Sequence, residues 1–73
     1  MTMAQFTKEQ VKTLEAIVDA SSLAAVLEGL SEVCHAKAEH IRSNWQDRLS
    51  ACVWDAAGLT ITKAATFADQ RKL

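Results

Sequence analysis

The sequence predicts an all-α fold that is completed by self-association, and three observations lead to this prediction. The chain has no proline and only two glycines among its 73 residues, and 49% of the residues are hydrophobic. This composition favours helix over strand or loop. Apolar residues recur at steps of three and four along much of the chain, which is the pattern of amphipathic helices. A single core in so small a domain rarely supplies more than ~3–5 kcal/mol, so such a chain usually needs a disulfide, a metal or a partner subunit.

Charge and hydropathy exclude several classes of protein. The formal net charge is −1, and no basic stripe is present, which disfavours a nucleic-acid-binding surface. No apolar run approaches the ~20 residues that a membrane span needs, so no membrane partner is expected. The N-terminal segment MTMAQFTKEQ lacks the cationic start and apolar core of a secretory signal, so a cytoplasmic location is expected. We expect one domain over residues 1–73, with residues 1–6 as a frayed start.

The first helix is predicted over residues 8–19 from its N-terminal signals. Thr7 and Gln10 have the spacing of a capping box, with Thr7 as the N-cap. Phe6 and Val11 have the spacing of the hydrophobic staple that accompanies such a box. The turn after this helix is expected in Asp19-Ala20-Ser21-Ser22, where Asp19, Ser21 and Ser22 are each able to cap the next helix. Because no glycine or proline forces this turn, one helix that runs straight through is the alternative.

One long central helix is predicted over residues 22–57. Nine apolar residues repeat at steps of three and four without an internal proline. These nine are Leu23, Leu27, Leu30, Cys34, Ala38, Ile41, Trp45, Leu49 and Cys52. The alternative is a bend or break near Ser43, where Ser43 and Gln46 have the spacing of a second capping box. The apolar phase continues past this point, which favours one continuous helix.

A short last helix is predicted over residues 62–71. Gly58 is a natural helix end, and the β-branched segment 59–62 is then a connector. Thr60 or Thr62 is expected to cap the last helix. Trp54 is expected to pack beneath this helix against Phe67, with an exposed anchor as the alternative interpretation of Trp54.

The predicted partner subunit is a second copy of the chain, so that a homodimer completes a helical bundle. A central helix of this length leaves its middle uncovered by the two short helices, and closed two-fold pairing is the commonest way to cover it. The alternative is a monomer in which the central helix breaks and folds back on itself. The predicted interface residues are Leu30, Cys34, Ala38, Ile41, Trp45, Leu49 and Trp54.

Two groups of polar residues are candidates for chemistry. Glu32 and His35 form a Glu-x-x-His pair, the spacing with which di-iron helix bundles bind metal. Both lie away from the apolar face, whereas di-iron ligands point into the core, so a solvated polar face is favoured and no cofactor is expected. His40, Asn44 and Asp47 border the apolar face, and we interpret them as a hydrogen-bonded edge that fixes helix register rather than as a binding site.

The function predicted is that of a small self-associating protein-interaction module, which acts as a regulator or inhibitor by binding a partner protein. No phosphate loop, CxxC, HExxH or defensible nucleophile and base occurs, so enzyme activity is not expected. The alternatives are a metal-binding bundle and, with less support, a small helix-turn-helix DNA-binding protein. In composition alone the chain resembles small acidic accessory proteins of phages and other mobile elements.

Overall fold

Three α-helices make up the fold in the part of the chain that the structure, a computed structural model, describes, namely residues 5–44 and 47–73. They are α1 (Lys8–Ala20), α2 (Leu23–Asn44) and α3 (Arg48–Gln70). This confirms the all-α class. No helix of the described segments contains an 18-residue stretch apolar enough to cross a membrane.

The predicted start of α1 is confirmed in detail. The Thr7 hydroxyl accepts a hydrogen bond from the Gln10 backbone N–H at 3.1 Å, and the Thr7 N–H donates to Oε1 of Gln10 at 2.8 Å. Each side chain thus satisfies a backbone N–H that has no partner within the helix. Phe6 and Val11, the two residues of the predicted staple, remain 63% and 51% exposed.

The predicted turn between the first two helices is also present. The Ser21 hydroxyl donates to the carbonyl of Ile17, which helps to end α1. The Ser22 hydroxyl then accepts from the N–H of Ala25 at 3.0 Å, as an N-cap of α2 does. Of the three residues expected to cap α2, Ser22 performs that role, and the reversal needs neither glycine nor proline.

The prediction of a continuous helix over 22–57 is wrong. The chain leaves α2 after Asn44 and enters α3 at Arg48. Asp47 caps α3, because its Oδ1 accepts from the Ser50 N–H at 3.1 Å and its Oδ2 from the Ser50 hydroxyl at 2.8 Å. A new helix thus starts at Arg48, although the apolar pattern continues past this point in the sequence. Trp45 and Gln46, named in the sequence predictions, lie outside the described residues.

The predicted helix end at Gly58 and the connector over 59–62 are wrong as well. Helix α3 runs through Gly58 to Gln70, so the expected short last helix is its second half. Gly58 has no left-handed backbone conformation of the kind that ends helices. Trp54 and Phe67 are 13 residues apart on one helix, about 20 Å, and therefore cannot pack on each other.

Helices α2 and α3 form an antiparallel hairpin with a core of small residues. The N–H of Ala24, at the start of α2, donates to the carbonyl of Leu73 after the end of α3, at 3.2 Å. The buried residues along the seam between the helices are Ser31, Cys34 and Ala38 of α2 and Ala51, Gly58, Ala65 and Ala68 of α3. Such small side chains let two helix backbones approach closely. At Gly58, an added Cβ would lie 2.8 Å from Nε2 of His35 and 3.3 Å from Cβ of Cys34.

Helix α1 lies apart from this core. None of its residues is buried, and Leu23 and Leu30 of α2 remain 36% and 45% exposed. The radius of gyration of the Cα atoms is 14.1 Å. A compact domain of this length has a radius of gyration of about 11 Å. The chain is therefore an extended body, with a helical hairpin and a first helix that projects from it.

Candidate interaction surface

One side of the hairpin is polar, and its contacts join the two helices. The Ser31 hydroxyl donates to the Gly58 carbonyl at 3.0 Å and lies 2.6 Å from the Thr62 hydroxyl. Nearer the other end, Nδ1 of His35 lies 2.9 Å from Oδ1 of Asp55, and Arg42 donates to Oδ2 of the same carboxylate at 2.8 Å. We call Ser31, His35, Arg42, Asp55 and Thr62 the polar side. Its contacts satisfy polar groups beside the seam and orient one helix against the other.

The Asp55 carboxylate is the centre of the polar side. Its hydrogen bond with His35, followed by that with Arg42, lowers the pKa of Asp55 below the ordinary value of 3.8. The same pairing with Asp55 raises the pKa of the Arg42 guanidinium. Both side chains are more than a third exposed, so water screens these charges and the polar side orients the helices more than it stabilises them.

Acid should loosen the hairpin through Asp55. Because its pKa is lower in the folded chain, Asp55 stabilises the fold above its ordinary pKa, and this stabilisation is lost as the pH falls through the folded value. We expect urea unfolding midpoints to fall with pH below about 5, and Asp55→Asn to reduce the slope. Asp69→Asn is the matched control on α3, since the Asp69 carboxylate has no hydrogen-bond partner within the described segments. An equal slope in Asp55→Asn and wild type would contradict this assignment.

The opposite side of the hairpin is apolar. Helical residues advance by about 100° each, so the buried seam residues of a helix fix the direction of its other side chains. We used this to identify the residues on the flank of each helix opposite the Asp55 contacts. They come from both helices, and Leu23, Leu30 and Trp54 are 36%, 45% and 37% exposed. We call this set the apolar side, and it comprises Leu23, Leu30, Ile41, Trp54 and Ile61. It forms a two-helix-wide surface, and Lys37, exposed about 20° beyond Leu30 on α2, is the charged residue at its edge.

Helix α3 carries a second exposed apolar surface, on the face turned away from α2. Leu49, Val53 and Phe67 are 78%, 64% and 54% exposed, and Leu59 is 60% exposed. We call this surface the outer face of α3, and it comprises Leu49, Cys52, Val53, Ala56, Leu59 and Phe67. Lys63 is the charged residue within this arc. A helix that is apolar on both of its faces is usually covered on both.

The structure separates the predicted interface residues into different environments. Leu30, Ile41 and Trp54 lie together on the apolar side, although Ile41 and Trp54 come from different helices. Cys34 and Ala38, at 7% and 0% exposure, are covered by α3 of the same chain, so they need no second copy to bury them. Leu49 lies on the outer face of α3 instead. The expectation that the region around Ala38 lacks intrachain cover is therefore wrong, because the chain reverses after α2.

The predicted polar cluster is brought together only in part. The Asn44 side-chain amide lies 3.1 Å from Nδ1 of His40 and donates to the His40 carbonyl at 3.0 Å. Asp47 is not a member, since its carboxylate caps α3. His40 also lines an open groove on the outer surface of α2 with Val33, Ala36 and Lys37. The His40–Asn44 pair thus lies near the end of α2, where it satisfies local polar groups.

The metal alternative has little geometry in its favour. His35 is paired with Asp55 across the hairpin, and Glu32 is exposed on α2. Within the described segments, no three His, Cys, Asp or Glu side chains are grouped closely enough to hold an ion. Cys34 and Cys52 are both free thiols, the first buried and the second exposed.

Sequence reasoning missed the residues that join the hairpin, namely Ser31, Asp55, Gly58 and Thr62. A signal for the seam is present in the heptad spacing of Ala51, Gly58 and Ala65, small residues that recur on one face of α3. A reversal between Asn44 and Arg48 had to be known before Asp55 could be paired with His35. No family model, no curated protein and no solved structure shows significant similarity to this chain.

Proposed function

We propose that this protein is a self-associating interaction module in which two hairpins pair through their apolar sides to form a four-helix bundle. One observation carries the proposal. Among the described residues, no side chain larger than that of cysteine is buried, and the hydrophobic core consists of Cys34 and four alanines. Within one copy, every large apolar side chain of the described segments therefore remains at least partly exposed.

The energetics of burial support pairing. Twelve large apolar residues of the described segments are between 36% and 78% exposed. Burial of apolar surface contributes roughly 25 cal/mol per Å², and alanines contribute the least area of any apolar side chain. Burial in the hairpin seam thus contributes little free energy. The leucines, the isoleucines and Trp54 of the apolar side are available for burial against a second chain. A single core of this size is marginal alone.

The size of the apolar side is suitable for a specific interface. Helices α2 and α3 have 22 and 23 residues. Their pair is about 34 Å long and two helix diameters, about 20 Å, wide. The face of the hairpin that carries the apolar side therefore has a footprint of about 700 Å², close to the ~800 Å² that each partner buries in a specific complex.

The centre of the apolar side has no charged residue, which suits a second copy in particular. A two-fold interface sets the same patch against itself, so any charge near its centre would face an identical charge. The Asp55 carboxylate and the Arg42 guanidinium instead lie on the polar side, which remains in solvent when the apolar sides meet. A module of this kind can act as a regulator or inhibitor when the same side covers a partner protein.

Light scattering of the purified chain tests this proposal. One chain has a mass of 8.0 kDa, and a pair has twice that mass, about 16 kDa. We expect a mass near that of the pair at micromolar concentration, falling on dilution as mass action requires. A mass equal to one chain over the whole range, with an intact helical spectrum, would overturn self-association.

A further inference from the structure

We infer that α1 is an arm that docks onto the outer face of α3 in a second copy. This inference rests on the proposed self-association and names a contact that hairpin pairing alone does not require. The outer face and the apolar side lie on different sides of the hairpin, so both can be covered at once. Two observations point to this contact, namely the amphipathicity of α1 and the position of its connection to α2.

Helix α1 presents an apolar stripe that the rest of the chain leaves largely uncovered. At about 100° per residue, Val11, Leu14, Ile17 and Val18 fall within one arc of about 120°. The charged residues of the helix fall in a separate arc, and they are Lys8, Glu9, Lys12, Glu15 and Asp19. Val11 and Ile17 are 51% and 48% exposed, and no residue of α1 is buried. An amphipathic helix of this kind is stabilised mainly by packing of its apolar face.

The outer face of α3 fits this stripe in length and in charge. Helix α1 has 13 residues, about 20 Å, and the span from Leu49 to Leu59 is about 15 Å. Lys63 lies one turn beyond Leu59 and is the charged residue within the outer face of α3. When the two helices run parallel, the Glu15 and Asp19 carboxylates at the border of the stripe approach Lys63.

The arm cannot reach this surface within its own chain. Two residues join α1 to the start of α2, whereas the outer face is the side of α3 that is turned away from α2. Packed helices are 8–10 Å apart, so a helix seated beyond α3 has its axis roughly 16–20 Å from that of α2. Ala20 and Leu23 are three Cα steps apart and span at most about 11 Å. Even with about 2.3 Å added for each helix radius, the connection is too short. The occupant must come from a second copy.

The Cys52 thiol offers a direct probe of this contact. It is exposed on the outer face of α3, whereas Cys34 is buried in the seam and serves as an internal reference. We would measure the rate at which N-ethylmaleimide alkylates each cysteine, resolved by mass spectrometry of peptides, over a range of protein concentrations. Docking of an arm from another copy should slow alkylation of Cys52 by about tenfold when the protein is at ten times the dissociation constant.

The test variant is Val11→Ala with Ile17→Ala, and the matched control is Lys12→Ala with Thr13→Ala, two positions outside the apolar stripe. Alanine is the best helix former, so neither variant should unfold α1. We expect the test variant to lose the concentration-dependent protection of Cys52 and the control to keep it. Alkylation at one rate in wild type and test variant, or protection that does not change with concentration, would overturn the arm contact. Light scattering of the same samples reports hairpin pairing separately, so a stable pair with an unprotected Cys52 would leave the proposed function standing.

Discussion

Replacing Ala38 by leucine is expected to remove a large fraction of the stability of the hairpin. Ala38 is fully buried in the seam between α2 and α3. A leucine there must displace the facing helix, and overpacking of this kind costs about 1–3 kcal/mol. The core of so small a domain supplies only ~3–5 kcal/mol, so the loss is a large fraction of the total. The measurement is the urea midpoint, followed by circular dichroism.

Ala36→Leu is the matched control for this substitution. It introduces the same side chain on the same helix two residues earlier, where Ala36 is exposed. Exposed substitutions usually change stability by less than about 0.5 kcal/mol, so the midpoint should stay close to that of wild type. Equal midpoints for the two variants would show that the seam is not packed as described.

A second large effect is expected from Leu30→Asp, which should prevent pairing of the hairpins. Leu30 lies on the apolar side and is 45% exposed in a single copy. In the proposed pair it is buried against the second chain, where an aspartate would lie as an unpaired charge. Since the lone hairpin has few large buried side chains, separation should also lower its helical content. Light scattering would then give one chain mass at a concentration where wild type gives two.

Val33→Asp provides the comparison for this variant. Val33 is 51% exposed, close to the value for Leu30, but it lies about 130° round α2 from the seam, toward the outer surface. In a single copy the two substitutions introduce the same charge into similarly exposed positions. We expect Val33→Asp to remain paired. Loss of pairing in both variants would indicate that aspartate in α2 acts through the fold rather than through the apolar side.

Local signals in the sequence were sufficient to predict parts of this fold. Thr7 and Gln10 fixed the start of α1, because a capping box depends only on residues three apart. The turn at Ser21 and Ser22 followed from the same kind of local hydrogen bonding. Helical class followed from composition, since proline is absent and good helix formers are abundant.

The hairpin could not be predicted in the same way. Leu49 and Cys52 happen to continue the phase set by Leu23 through Ile41. The apolar period therefore gave no sign of the chain reversal that precedes α3. Gly58 was interpreted as a helix end, a role it often has, but here it provides the space that His35 and Cys34 occupy. Close approach of two helices depends on which small residues face each other, and that is known only once the chain reversal is known.

The contacts of the Asp55 carboxylate also determine how far one helix may slide along the other. Ala51, Gly58 and Ala65 are spaced by seven residues, so a shift of about 10.5 Å would replace one small residue of the seam by another of nearly the same shape. Packing alone therefore distinguishes these alignments poorly. His35 and Arg42 meet the Asp55 carboxylate in one alignment, and would face Arg48 or Thr62 after a shift. The polar contacts beside the seam thus select one register of a repetitive seam, a role that polar residues also have in coiled coils.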